Sequence, residues 1–214
     1  GGSDTESETV LVGNTEPEIL SVEISPESGV SSTSSLLCEA SAVDADGDIP
    51  VLSYLWINDT TGDELGSDST VELDPSTVQP DDRIACLVTA EDEDGGASTA
   101  SASVTIENTA PIVIEVVVDL GGEVSSSDTV VCSVDVTDLD GDSLIVNYVW
   151  TNELGEVLGT DARLTLSPSI VSPGDTLICL ATATDSYGAS SSGTVTIIVI
   201  NTEPAISGVS TSPS

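Results

Sequence analysis

Residues 38–56 of this chain read CEASAVDADGDIPVLSYLW, and residues 132–150 read CSVDVTDLDGDSLIVNYVW. Both stretches begin with a cysteine, carry an Asp-x-Asp-Gly-Asp run and end with a tyrosine, one further residue and a tryptophan. A second cysteine follows each stretch, at Cys86 and at Cys179. One unit of sequence therefore occurs twice along the chain.

The boundary of this unit is marked by the pattern Asn-Thr-x-Pro, which begins at Asn14, Asn108 and Asn201. Successive copies of the pattern are offset by 94 and then by 93 residues, as the differences between these residue numbers show. A unit of this length is long enough to bury its own core, unlike the much shorter repeat of a solenoid. We therefore expect each copy to be a complete domain.

The same pattern divides the chain into four segments. Residues 14–107 form repeat 1 and residues 108–200 form repeat 2. We expect residues 1–13 to contain the end strand of a preceding repeat, and residues 201–214 to contain the start of a following one. The sequence thus predicts an excerpt from a longer array of similar domains.

The charge balance limits the possible partners of the chain. It carries 38 acidic residues against two basic ones, with no histidine, and its formal net charge is -36. Such a chain repels nucleic acids and anionic lipid surfaces, so we predict no nucleic-acid partner and no membrane insertion. It attracts divalent cations, or it suits a high-salt environment that screens the self-repulsion. The 38% hydrophobic content argues against disorder.

The hydrophobic pattern is that of β-strands. Val130, Cys132 and Val134 alternate with other residues, as do Val104 and Ile106, and β-branched residues are abundant. Alternation with a period of two places every second side chain on the same face of a strand. We predict about seven short strands in each repeat, among them two within residues 64–73, and no long helix.

The four cysteines occur as two per repeat at equivalent positions, which predicts the disulfides Cys38–Cys86 and Cys132–Cys179. Zinc binding is the weaker alternative, because the chain has no histidine and the cysteines are not in close pairs. Disulfides indicate an oxidising compartment, so we expect an extracellular or cell-surface location.

The order cysteine, tryptophan, cysteine across about seven strands resembles the immunoglobulin superfamily. The Asp-x-Asp-Gly-Asp run, the later Asp92 and Asp185 and the Asn-Thr-x-Pro junction resemble PKD and cadherin-like repeats of long bacterial surface or secreted proteins. The resemblance implies an all-β fold of two tandem immunoglobulin-like β-sandwich domains, each with one inter-sheet disulfide. Ile84 and Leu177 stand where antibody-type domains carry a tyrosine, which argues against a true antibody-type domain.

In such a sandwich, the loop between the second and third strands and the loop between the last two strands share the pole at which the chain enters. Carboxylate and amide oxygens gathered at one pole favour Ca²⁺, which takes six to eight oxygen ligands. The resemblance to cadherin-like repeats implies the same ion at domain junctions. The candidate ligands are Asn14, Glu16, Asp44, Asp46, Asp48, Asp92 and Asp94 for repeat 1, and Glu107, Asn108, Asp138, Asp140, Asp142 and Asp185 for repeat 2.

Two other interpretations of the acidic loops remain open. Asp-Gly forms turns without a metal, and aspartate side chains bond neighbouring amides in Asx turns. In a halophile, the acidic residues would serve as distributed solvation charge rather than as ligands. The loops also differ from an EF-hand, which has glycine at position six and glutamate at position twelve.

These observations predict a structural extracellular array, such as a stalk, adhesin shaft or filament, stiffened by Ca²⁺ at its domain junctions. Its partners would be neighbouring repeats of the same protein. Two alternatives are a fibre subunit that polymerises by strand complementation, with identical chains as partners, and a module that recognises a glycan or receptor. We predict no enzymatic activity, because the usual histidine base is absent.

Overall fold

The chain forms two compact units, the first ending at Asn108 and the second beginning at Thr109. The structure is a computed structural model, and it describes residues 5–10, 13–119, 121–203 and 208. Every regular element of these residues is a β-strand. The described part of the chain has no helix of the length and apolar character that a membrane crossing requires.

Repeat 1 is a sandwich of a three-stranded and a four-stranded sheet. One sheet has the order β1-β2-β5 and the other the order β4-β3-β6-β7, with antiparallel pairing between neighbours. The strands are β1 (Glu18–Ser25), β2 (Ser35–Val43), β3 (Val51–Asn58), β4 (Asp63–Gly66), β5 (Thr70–Glu72), β6 (Arg83–Glu91) and β7 (Ala97–Thr105).

Repeat 2 has the same arrangement with one additional short strand. Its sheets have the orders β13-β10-β8 and β12-β11-β14-β15-β9, and β9 pairs with β15 in parallel. The strands are β8 (Ile112–Asp119), β9 (Val124–Ser125), β10 (Thr129–Thr137), β11 (Ile145–Asn152), β12 (Val157–Gly159), β13 (Arg163–Thr165), β14 (Thr176–Thr184) and β15 (Ser190–Ile200).

The core of each repeat lies between its two sheets and forms because burial alternates along the strands. In β14, Leu177, Cys179, Ala181 and Ala183 are buried, and the residues between them are half-buried. Burial of apolar side chains from both sheets contributes about 25 cal/mol for each Å² removed from water. The alternation predicted from the sequence thus determines which face of each strand meets the core.

A disulfide and a tryptophan occupy the centre of each core. Cys38 of β2 is bonded to Cys86 of β6, so the bond joins the two sheets, and Trp56 is the cross-strand neighbour of Cys86. Trp56 is completely buried, and its Nε1 donates a hydrogen bond of 3.0 Å to the carbonyl oxygen of Asp68. This satisfies the one polar group of the indole.

The core of repeat 2 is likewise centred on a disulfide and a tryptophan. Cys132 of β10 is bonded to Cys179 of β14, and Trp150, also completely buried, is the cross-strand neighbour of Cys179. The Nε1 of Trp150 donates to the carbonyl oxygen of Asp161 at 3.1 Å. The predicted fold class, two immunoglobulin-like sandwiches with one inter-sheet disulfide each, is confirmed.

The prediction that the two terminal segments belong to adjacent repeats concerns residues that are only partly described. Residues 5–10 and 13 are not in a strand, and the neighbouring residues 11–12 lie outside the described residues. Of residues 206–214, only residue 208 is described, and it is not in a strand. The assignment of both ends to adjacent repeats stays a prediction.

The disulfides are expected to stabilise each repeat independently. Replacing both Cys38 and Cys86 with alanine removes a cross-link that spans 48 residues, and the loop-entropy model assigns about 4 kcal/mol to such a cross-link. Urea denaturation followed by tryptophan fluorescence should show one transition moved to lower urea and one unchanged. The same double replacement at Cys132 and Cys179 should move the other transition. A single transition that moves as a whole in both variants would contradict independent stabilisation.

Candidate cation sites in the acidic loops

Two loops of each repeat lie at the same end of the sandwich because of the strand register. We call the segment between the second and third long strands (residues 44–48 and 138–142) the DxDGD loop, and the segment between the last two strands (residues 92–96 and 185–189) the late loop. In repeat 1, the first residue of β3 pairs with the last residue of β6. The DxDGD loop precedes β3 and the late loop follows β6, so the two loops are adjacent.

The DxDGD loops are built as turns by their own aspartates. The Oδ1 of Asp44 accepts a hydrogen bond from the amide of Asp46 at 2.7 Å, and the Oδ1 of Asp138 accepts one from the amide of Asp140 at 2.9 Å. The glycine that follows has a φ of +93° at Gly47, in the left-handed region that favours glycine. The sequence Asp-x-Asp-Gly therefore determines the shape of the loop before any ligand is considered.

The late loops are held by one carboxylate each. In repeat 1, the Oδ1 of Asp92 accepts hydrogen bonds from the amides of Asp94 at 3.0 Å and Gly96 at 2.8 Å. In repeat 2, the Oδ1 of Asp185 accepts hydrogen bonds from the amides of Tyr187 and Ala189, both at 2.9 Å. Both carboxylates belong to buried residues.

In repeat 1, other oxygens of these loops hold the segment by which the chain enters the domain. The Oδ2 of Asp46 accepts a hydrogen bond from the amide of Thr15 at 2.7 Å. The Oδ2 of Asp92 accepts one from the Nδ2 of Asn14 at 2.9 Å. Both loops therefore contact the Asn-Thr-x-Pro segment directly.

In repeat 2, one carboxylate makes two bonds to the entering segment. The Oδ2 of Asp140 accepts hydrogen bonds from the amide and from the Oγ1 of Thr109, both at 2.7 Å. Asp140 is only 1% exposed, so both bonds are shielded from water. Hydrogen bonds to a charged group are stronger than bonds between neutral groups. Thr109 is thus fixed to the DxDGD loop of its own repeat.

Three carboxylate oxygens of the DxDGD loops are buried and accept no hydrogen bond. They are the Oδ2 atoms of Asp44, Asp138 and Asp142. Burying a polar atom without a partner costs free energy, and buried carboxylates are normally paired, hydrogen-bonded or bound to a metal. These atoms are therefore the ones best suited to accept a cation.

The three aspartates of the second DxDGD loop converge. Asp138, Asp140 and Asp142 each offer one oxygen, and these oxygens lie within 4.8 Å of one another. No other group of three acidic or cysteine side chains in the described ranges comes this close together. Two unit charges about 5 Å apart repel by about 3 kcal/mol at an effective dielectric of about 20. The trio is therefore a focus of negative potential.

Burial and the neighbouring charges both act on the pKa of Asp142 in the second loop. Partial burial raises the pKa of Asp142 above its usual value, a hydrogen bond donated by Ser186 opposes this rise, and the neighbouring charges of Asp138, Asp140 and Asp185 add to it. A raised pKa means that the ionised form is disfavoured in the folded protein. A bound cation would reverse that preference.

In repeat 1, the pKa values of Asp48 and Asp92 are shifted in opposite directions. Partial burial raises the pKa of Asp48, as do the charges of Asp44 and of the acidic residues in the late loop. The hydrogen bond from Asn14 lowers the pKa of Asp92, assisted by the amides of the late loop. Asp92 is therefore stabilised as an anion by the protein itself, whereas Asp48 is not.

The other predicted ligands lie in different settings. Glu16 and Asp94 are exposed, and Asn108 is half-buried. The Oε1 of Glu107 accepts a hydrogen bond from the amide of Gly29 at 2.8 Å, within repeat 1. Thr15, Thr109 and Ser186 contact the acidic residues but were not predicted from the sequence. The threonine at the same place in every Asn-Thr-x-Pro segment was the signal that could have identified the first two.

Comparison with known proteins gives structural neighbours only. No protein-family model and no curated protein sequence matches the chain. Among solved structures, three N-terminal domains of the Highly Immunogenic Outer Capsid protein of bacteriophage RB49 are 18% identical, with a TM-score of 0.34 over 88% of this chain and 71% of that one. A tetra-tandem repeat from the extending region of a large adhesion protein is 20% identical, with a TM-score of 0.38. It aligns with 86% of this chain, which spans 49% of that structure.

A third neighbour is the amphioxus IgVJ-C2 molecule, which is 12% identical, with a TM-score of 0.36 over 87% of this chain and 98% of that one. The assignment of the immunoglobulin-like fold rests on the strand order, disulfides and buried tryptophans of the chain itself.

We expect Asp92→Asn to lower the Tm of repeat 1 by a few degrees at pH 7, because the amide cannot accept the hydrogen bonds of Asn14 and the late loop as strongly. The folded-state pKa of Asp92 is lowered, so its contribution is present above the unfolded pKa of about 3.9 and is lost as the pH falls through the folded value. Thermal unfolding from pH 7 to pH 2 measures this.

The matched control is Glu93→Gln, which removes one charge from the neighbouring exposed position. The Tm difference between wild type and Asp92→Asn should shrink at low pH, whereas Glu93→Gln should show little difference at pH 7. Equal effects of the two substitutions at pH 7 would show that the charge, rather than the hydrogen bonds of Asp92, matters.

Proposed function

We propose that this chain is a structural segment of an extracellular repeat array, and that each repeat binds Ca²⁺ at its acidic loops. The observation that carries the proposal is the trio Asp138, Asp140 and Asp142, in which two buried oxygens accept no hydrogen bond. Hard oxygen ligands gathered at one loop suit a hard divalent cation.

The residues of repeat 2 fit a calcium ion in number and kind. The Oδ2 atoms of Asp138 and Asp142 would be ligands, together with an oxygen of Asp140. Asp185, whose charge acts on Asp142, lies in the adjacent loop. Backbone carbonyls and water would complete the six to eight ligands that Ca²⁺ takes.

The proposed role of the ion is to stiffen the entry of the chain into each repeat. Asp140 accepts two hydrogen bonds from Thr109 and would also be a ligand of the ion, so it would link the ion to the entering segment. Relieving the repulsion among the aspartates would then stabilise the loop and, with it, the entering segment. Repeat 1 offers a related site, in which Asp44 and Asp48 would be ligands, supported by Asp92 and Asp94 of the late loop.

The rest of the composition supports a structural role rather than a catalytic one. The chain has no histidine, and all four of its cysteines are in disulfides. A disulfide at the centre of each repeat suits a protein that folds and works in an oxidising environment outside the cell. We therefore propose a stalk, shaft or filament segment whose partners are neighbouring repeats of the same protein.

Thermal unfolding in EDTA and after addition of Ca²⁺ tests the proposal. Ca²⁺ at 100 times its dissociation constant should stabilise the binding repeat by about 2.7 kcal/mol, because a ligand that binds only the folded state shifts the equilibrium towards it. Mg²⁺ at the same concentration should do much less, because it requires a tighter octahedral arrangement.

Asp142→Asn gives a distinctive pattern. In EDTA it should leave the Tm unchanged or raise it, because the charge that it removes is disfavoured in the folded protein. It should also abolish the response of repeat 2 to Ca²⁺. The matched control Asp135→Asn, on an exposed position of β10, should retain the full response.

Two results would overturn the proposal. If Ca²⁺ and Mg²⁺ act equally, and only in proportion to ionic strength, the acidic residues are solvation charge. If Asp142→Asn and Asp135→Asn respond to Ca²⁺ as the wild type does, the DxDGD loop is a turn without a metal.

A further inference from the structure

The four largest neighbouring strands of one sheet in repeat 2 carry no charged residue. None occurs in β11 (IVNYVWTN), β12 (VLG), β14 (TLICLATAT) or β15 (SSSGTVTIIVI). In the whole chain, 19% of the residues are charged. Charge is therefore segregated away from this sheet.

The outer face of this sheet is defined by burial and register. Leu180 alternates with the buried residues of β14 and is flanked by Thr194 of β15 and Val149 of β11. Thr194 is exposed, as are Thr196 and Ser192 on the same strand. The outer face is thus a row of hydroxyl-bearing side chains beside aliphatic ones. We call it the neutral face.

Exposed aliphatic side chains extend along the edges of the neutral face. Ile145 is 67% exposed, and Ile198 and Val157 are each 62% exposed. Tyr148 and Trp150 alternate to the core side of β11, so they are not part of this face. The neutral face therefore offers apolar and hydroxyl groups, but no aromatic ring on which a sugar could stack.

The other sheets differ from this one because their strands carry charged residues. The second sheet of repeat 2 carries Glu115, Asp119, Asp135 and Arg163 on its strands. The corresponding sheet of repeat 1 carries charges on two of its four strands, β4 and β6. The neutral face of repeat 2 is thus distinct from its counterpart in repeat 1, although the two domains share a fold.

We propose that the neutral face is a contact surface for a second copy of this chain. Two copies that each carry a charge of -36 repel one another wherever carboxylates approach. At the neutral face, two copies can meet without opposing like charges and without burying an unpaired one. A basic partner would be drawn to the acidic surfaces instead, so the absence of charge favours a second acidic chain.

The size of the face limits how strong the contact can be. Strands lie about 4.8 Å apart and rise about 3.3 Å per residue, so the eight, three, nine and eleven residues of β11, β12, β14 and β15 cover roughly 490 Å². Two such faces would bury about 980 Å² in total, close to the lower limit of about 1,000 Å² for a specific interface and in the range of transient contacts. The contact would therefore be weak and sensitive to single substitutions at its centre.

The remaining charge makes the contact depend on salt. Repulsion between the acidic surfaces outside the face opposes association, and its range falls from about 10 Å at 0.1 M salt to about 3 Å at 1 M. Association of two copies should therefore strengthen as NaCl is added.

Sedimentation equilibrium of the whole chain, in EDTA and from about 0.05 M to 1 M NaCl, tests the proposal. EDTA excludes bridging of copies by Ca²⁺. We expect monomers at low salt and dimers at high salt. Thr194→Glu and Thr194→Arg should each weaken the dimer at least about tenfold, because either sign of charge would be buried without a partner.

Ser133→Glu is the matched control, on an exposed position of the other sheet of repeat 2, and it should dimerise as the wild type does. Unchanged Tm values for the Thr194 variants would confirm that they are folded. A monomer at 1 M NaCl and millimolar protein would overturn the proposal. So would dimers of Thr194→Arg as tight as those of the wild type, which would indicate association driven by screening alone.

Discussion

The chain cannot neutralise its own carboxylates, and this constraint governs its structure. It has 38 acidic residues and two basic ones, and the ion pair between Arg83 and Asp59 lies on the surface at 3.6 Å, where such pairs contribute little. Most of the acidic groups are therefore left to water. Asp92 and Asp185 are stabilised by backbone amides, whereas Asp138 and Asp142 bury an oxygen that no donor satisfies.

The same constraint is reflected in the sheets. They place no charged side chain in the apolar cores, and one sheet of repeat 2 places none on its outer face. Acidic residues of the strands, such as Glu39 and Asp135, lie at exposed positions, where water reaches them. This arrangement lets a highly charged chain keep two ordinary apolar cores, each with a disulfide and a tryptophan at its centre. It also distinguishes the two repeats, because repeat 2 has both the converged aspartates and the neutral face.

Much of the fold follows from the sequence, because the cysteine and tryptophan spacing and the alternation of apolar residues are local signals. The two short strands predicted between Glu64 and Leu73 are present as β4 and β5. The strands β9 and β12 were not predicted. Each has at most three residues, and β9 exists through parallel pairing with β15, far away in the sequence. No local pattern encodes such a pairing.

The candidate sites were predictable in position but not in detail. The topology of the sandwich places the acidic loops together, which the sequence indicates. The different contacts of the aspartates depend on which oxygen meets which amide. Asp140 accepts a hydrogen bond from Thr109, for example, whereas Asp138 has a buried oxygen without a partner.

The most direct test of Ca²⁺ binding by these loops is to follow backbone amide NMR shifts during a Ca²⁺ titration. Saturable shifts confined to the DxDGD loops, the late loops, Thr15 and Thr109 would support it, and gradual shifts at acidic residues throughout the chain would contradict it.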